Sequence, residues 1–276
     1  MLYYRIMSSY IDKEIQKPNT PVAQTVPMAP TPPPSGPTAS LAKPTEQDKA
    51  EQIVEPVQYY VKFSFMITYI LLLTTATVTF IEAMTTSEPV ARHVLNLETC
   101  ISIIAGYFYS LFLSQIDRYQ AEGKRVDWKR LTQTRYVDWS ITTPIMILVL
   151  CLVLGKNIGK SVKLATILPI IGLNYLMLLS GYFGETEVIN RFVSLIPGFG
   201  AFAGMFYLIY VNYVKPVFSS ANYRLFYIYL GIWSLYGVVF MFNEEYKNIF
   251  TNILDAIAKS GIGLGLWAYY TKIITL

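Results

Sequence analysis

From residue 57 onward the chain is a succession of long apolar stretches separated by short polar breaks, without the polar faces that water-soluble helices carry. Seven windows of spanning length recur, at roughly 60–82, 94–116, 133–154, 162–184, 188–213, 223–242 and 248–272. Each is long enough to cross about 30 Å of hydrocarbon as a helix. Charged or Gly/Asn-rich segments divide them, such as 117–130, 155–163 and 243–248. The pattern predicts an all-α membrane protein, with a seven-transmembrane-helix bundle over residues 57–276.

The first 56 residues read differently. They hold ten of the fifteen prolines, seven of them crowded into PVAQTVPMAPTPPPSGPTAS. Such a stretch has too few large apolar residues to build a core, so it reads as a disordered Pro/Thr-rich tail, with a short helix at its start. Residues 1–10 lack the apolar run of a cleaved signal peptide.

Composition narrows the classes further. Hydrophobic residues make up 53% and charged residues 14%, and the mean hydropathy is +0.39, so a water-soluble globule would lack polar surface to cover itself. The expected environment is a lipid bilayer. A net charge of +4, without basic residues clustered among aromatics on one face, argues against a nucleic-acid partner. Cys100 and Cys151 stand inside apolar runs and read as buried free thiols, giving neither a disulfide framework nor a metal site. No Ser-His, metal-ligand or nucleotide motif points to an enzyme, and the only histidine, His93, is expected in a loop.

Ionisable residues inside a span cost several kcal/mol and mark functional positions. Five stand out. Asp255 and Lys259, four apart, share a face of the seventh window; Arg135 and Asp138, three apart, share a face of the third; Glu98 lies about one turn inside the second. The Asp255–Lys259 spacing is compatible with a self-neutralising surface pair, or with a buried lysine. A desolvated lysine amine can condense with an aldehyde, and the protonated imine then needs counter-ions. Asp255 and Asp138 supply two, with Arg135 balancing the surplus negative charge.

RYVDWSITTP around Arg135 and Asp138, and DAIAKSGIG around Asp255 and Lys259, resemble the paired signatures of microbial (type 1) rhodopsins, over about residues 57–272. The resemblance implies all-trans retinal held as a protonated Schiff base on Lys259, Asp138 as primary proton acceptor and counter-ion, and Asp255 as second counter-ion. It implies that Thr142 hydrogen-bonds Asp138, that Tyr109 contacts Asp255, and that Trp139 and Trp233 sandwich the polyene. Thr143, Tyr236, Met177 and Gly181 complete the implied pocket. Loop Lys and Arg counts do not decide orientation; the resemblance places the N-terminus outside and the C-terminus in the cytoplasm.

Departures from the outward-pump pattern bear on the kind of rhodopsin. Val149 stands where such pumps keep a proton-donor carboxylate, and Lys247 where haloarchaeal pumps keep a release-group glutamate. Glu98 then reads as a relocated donor, a cytoplasmic gate for cations, or an interfacial carboxylate. NLETCISIIAGYFYS, Trp267-Ala-Tyr-Tyr and Asn252, one turn before Asp255, resemble rhodopsins of giant viruses of algae and other protists, one group of which acts as light-gated cation channels. That narrower resemblance implies a host cell membrane and permeating cations or protons, with Glu98 and Asn252 in the ion pathway, although Ala105 replaces a gate glutamate common in algal channels. A proton pump, or a sensor acting through a separate transducer, is the alternative. A homo-oligomer is compatible with this pattern.

Overall fold

The computed structural model describes residues 46–275, the first eleven of them as backbone only. The Pro/Thr-rich stretch and the short helix expected near its start lie outside the described residues. Helix α1 (Glu46–Thr85) begins eleven residues ahead of the expected Val57, over a segment rich in Glu, Gln, Lys and Ala, which favour helix. The segment within it that is long and apolar enough to span is Val57–Thr85.

Local chemistry sets the next helix starts. α2 (Pro89–Ala121) has Pro89 at its first turn, and the Glu88 side chain accepts from the Ala91 amide at 2.5 Å. This start lies ahead of the window edge at residue 94, so Glu98 sits deep in the helix. α3 (Trp128–Asn157) is capped by Asp127, which accepts from the Arg130 amide at 2.9 Å. α4 (Leu164–Glu185) follows, then α5 (Arg191–Ile209), capped by Asn190 and continued by a π-helical turn, Tyr210–Val214. α6 (Ser220–Val239) is capped by Ser219. The last span is α7 (Glu244–Asp255), a π-helical segment (Ala256–Gly261) and α8 (Ile262–Tyr270).

Among the described residues six spans are long and apolar enough to cross a membrane, and α6, 20 residues with Asn222 and Arg224 in its first turn, is the seventh of the bundle. Consecutive helices pack side by side and α1 packs against α7 and α8, which closes the ring. Its outward faces expose Phe63, Ile70, Leu164, Ile196 and Tyr207, while Glu98, Arg135, Asp138, Glu185, Lys247, Asp255 and Lys259 are buried. Apolar residues outside and charges inside suit a hydrocarbon surround and would be costly in water. The protein is an integral membrane protein with multiple spans. Cys151 is buried as expected, but Cys100 is exposed, on the outward face of α2, because an apolar neighbourhood in a spanning helix includes the lipid-facing side.

Candidate functional site

Four of the charges, which the sequence scatters over two windows, meet at one level of the bundle, and Glu98 lies apart from them. Lys259 falls within the π-helical segment, where the widened turn interrupts the regular hydrogen-bond ladder. Its Nζ lies 2.6 Å from Asp138 Oδ2 and 3.5 Å from Asp255 Oδ2, with all three side chains no more than 1% exposed. The self-neutralising surface pair is thereby excluded. The second Asp138 oxygen, Oδ1, and the Ser260 hydroxyl are buried without a hydrogen-bond partner among the described residues.

Asp255 is held from two further sides. Tyr109 donates to its Oδ2 at 2.9 Å, the expected contact, and Tyr236 donates to its Oδ1 at 2.7 Å. Arg135 lies 3.5 Å from Asp255 Oδ2, so it balances the second carboxylate. Its guanidinium is boxed by the rings of Phe65, Tyr109 and Phe112 and donates to Tyr109 Oη, Asn248 Oδ1 and Asn252 Oδ1. Thr142 bonds Asp138 through the backbone: its hydroxyl donates to the Asp138 carbonyl at 2.9 Å. The two residues sit one turn apart in α3, and a threonine hydroxyl readily reaches the carbonyl one turn back.

A cavity of about 140 Å³ ends at Lys259 and Asp255. A single water needs about 10–15 Å³ on the same measure, so this space takes an organic molecule. Trp139, Thr143, Met177, Gly181, Trp233 and Tyr236 all line it. A Cβ on Gly181 would stand 2.8 Å from Tyr136 Oη, and one on Gly237 would run into the Phe199 ring, so both glycines keep the walls close. Asn174 donates to the Thr143 hydroxyl at 2.8 Å. A long apolar body with an amine at one end and an unpaired carboxylate oxygen nearby fits a polyene aldehyde such as retinal.

Asn252 is a junction: its Nδ2 donates to Ser64 Oγ at 2.8 Å, its Oδ1 accepts from Tyr109 at 3.0 Å and from Arg135, and its backbone carbonyl accepts from Thr68. Glu98 is 2% exposed, which removes the interfacial reading. It has no ion-pair partner among the described residues, and a Cβ on Gly263 would meet its Oε2 at 3.0 Å and Thr75 Cγ2 at 2.8 Å. Val149 is wholly buried in the apolar core.

Ser64, Asn248 and Glu185 are absent from the sequence-derived set. Ser64 is one hydroxyl in an apolar run, and Glu185 ends a helix and so looks solvated; neither has a local signal. Lys247, noted only as a departure, is 3% exposed and paired with Glu185 and Glu244.

Residues 60–273 match the family model described as bacteriorhodopsin-like protein. The bacteriorhodopsin of Halobacterium salinarum is 26% identical over 207 residues, 67% of this chain and 74% of that protein. The crystal structure of the viral rhodopsin OLPVRII superposes with a TM-score of 0.72 at 38% identity, covering 78% of this chain and 99% of that one. The proton-pumping rhodopsin AR2 of the marine alga Acetabularia acetabulum shares the fold, with a TM-score of 0.63 at 21% identity over 78% of this chain and 96% of that one. With a cavity that fits the chromophore, the chain belongs to the bacteriorhodopsin-like family and is a retinal-binding microbial rhodopsin.

Proposed function

We propose that this protein is a light-gated cation channel whose retinal is carried by Lys259, with the N-terminus outside the cell and the C-terminus in the cytoplasm. The observation that carries the reading is a seam of polar groups, buried except for the half-buried Ser64, between α1, α2 and the last span. Ser64 and Thr68 bond Asn252, Thr75 and Glu98 lie against Gly263, and Thr79 bonds Thr99 at 2.8 Å. On α1 these residues recur at spacings of four, seven and four, which keeps them on one helix face. Hydrogen-bonded hydroxyls can hold helices together or line a pathway, and the ionisable Glu98 among them favours the pathway.

Lys259 Nζ would hold the all-trans retinal, which would supply light absorption and a double-bond isomerisation. The rest belongs to the chain. Asp138 Oδ2, 2.6 Å from Nζ, is placed to take a proton from it, and Asp255 Oδ2, at 3.5 Å, is the second counter-ion. Protonating either carboxylate removes a charge from the set that includes Arg135, and so weakens the bonds fixing Arg135 and Asn252. That loosens the seam at Ser64. Glu98, on α2 against Gly263, one turn beyond Lys259 on the last span, sets the charge of the other half of the path and attracts cations. Trp139, Trp233, Tyr236, Met177 and Gly181 shape the pocket, and Thr142 and Thr143 lie on α3 beside it, their hydroxyls bonded to the Asp138 and Trp139 carbonyls.

A pump is the second reading, favoured by Glu98 being buried without an ion-pair partner, as a proton donor would be. Whole-cell recording under continuous light separates the two. A channel gives a photocurrent that reverses with the cation gradient, whereas a current of constant direction at every voltage refutes it. Lys259→Ala tests the chromophore site, since visible absorption should be lost after retinal is added and retained colour refutes the assignment.

A further inference from the structure

At the end of the cavity away from Glu98, four charged side chains from three helices form a closed square. Lys247 Nζ donates to both oxygens of Glu185, each at 3.0 Å, and to Glu244 Oε1 at 2.8 Å. Arg191 bridges the same two carboxylates, at 3.2 Å to Glu185 Oε1 and 2.7 Å to Glu244 Oε1. Two positive and two negative charges cancel. The square is layered: Arg191 and Glu244 are about a quarter exposed, at 26% and 25%, whereas Lys247 and Glu185 are 3% and 0% exposed and line the cavity that ends at Lys259. The bond from Thr132 to Glu244 Oε2 at 3.2 Å and from Asn248 to Thr132 at 3.1 Å tie it to Arg135, which donates to Asn248.

We propose that the Glu185–Lys247–Glu244–Arg191 square is the plug of the retinal pocket, keeping water and small nucleophiles away from Lys259 from that end. It rests on the reading of Lys259 as the retinal residue. The square joins the end of α4, the start of α5 and the start of α7, segments that a short connection alone would leave free to part. Two oppositely charged pairs shared among four groups leave no inner member unpaired while the ends stay together. Removing one inner charge leaves the other inner member with a single partner and the cluster with a net charge beside a dry site, and water enters to solvate it. Glu185 and Lys247 are therefore positioning residues that act on the chemistry by excluding solvent.

The test is the dark bleaching rate of the retinal-loaded full chain in hydroxylamine, at a temperature where each variant keeps its colour without the reagent. Lys247→Met should speed bleaching by about tenfold or more, as should Glu185→Gln, while Lys247→Arg, which can still pair with both carboxylates, should stay near the unmodified rate. In the retinal-free protein, amide hydrogen exchange around residues 182–185 and 244–248 should rise in Lys247→Met and not in Lys247→Arg. Bleaching and exchange at the unmodified rates in Lys247→Met and Glu185→Gln overturn the plug. Should those two fail to fold, the more exposed Arg191→Gln takes the same measurement, with the same two outcomes. Failure of the unmodified chain to form pigment refutes the retinal reading instead, so the two failures are distinct.

Discussion

Replacing Asn252 with leucine removes the junction of α1, α2 and α3 on the last span while keeping nearly the same volume. Three side-chain hydrogen bonds are lost: one to the Arg135 guanidinium, one to Tyr109 at 3.0 Å and one to Ser64 at 2.8 Å. A hydrogen bond to a charged group contributes about 1.5–3 kcal/mol and a neutral one about 1 kcal/mol, so a dry site predicts a loss of about 3–5 kcal/mol. Tyr109 keeps Asp255 and Arg135 keeps Asn248, which holds the figure toward the lower end. Since 1.4 kcal/mol is tenfold in an equilibrium constant, the unfolding equilibrium should move by about a hundredfold or more. Reversible unfolding of the purified protein in mixed detergent micelles, followed by helix content, measures it. A loss below about 1 kcal/mol would mean that water already solvates these groups and that the junction holds nothing closed in the dark. Under the channel reading the same variant should also pass current without light, because Ser64 loses its tether.

Three other outcomes follow from single contacts. Glu98→Gln should reduce cation selectivity and photocurrent amplitude in whole-cell recording, and currents equal to those of the unmodified protein would remove Glu98 from the pathway. Gly181→Val should hinder pigment formation on titration with retinal, since a Cβ there already meets Tyr136 Oη at 2.8 Å, and normal uptake would show that the wall can yield. Glu88, outside the spans, is held below its ordinary value of 4.5 chiefly by its hydrogen bond from Lys156, an ion pair of 2.8 Å. A depressed carboxyl stabilises the fold above its ordinary range and loses that contribution as the pH falls through its folded value, so the difference in thermal midpoint between the unmodified protein and Glu88→Gln should shrink on acidification below 4.5. A difference independent of pH would show that Lys156 contributes nothing through that charge.

Much of this protein is legible in one dimension. Seven apolar windows, an interior lysine with an acid one turn before it, and an Arg and Asp three apart in another window fix the class of fold and the level at which the charges meet. Spacing carries that information because a spanning helix has one register and a buried charge has few places to go. Tertiary structure alone decided the partners. Arg135 sides with Asp255, and Asn252 gathers three helices, choices that depend on which faces meet across the bundle. Glu185 shows the limit most plainly: a glutamate at the end of a helix reads as solvated, and only the approach of α5 and α7, bringing Arg191 and Lys247, makes it an inner member of a closed charge cluster. Periodicity along one helix records which residues are turned inward; which charge each of them meets there is set by neighbours far away in the chain.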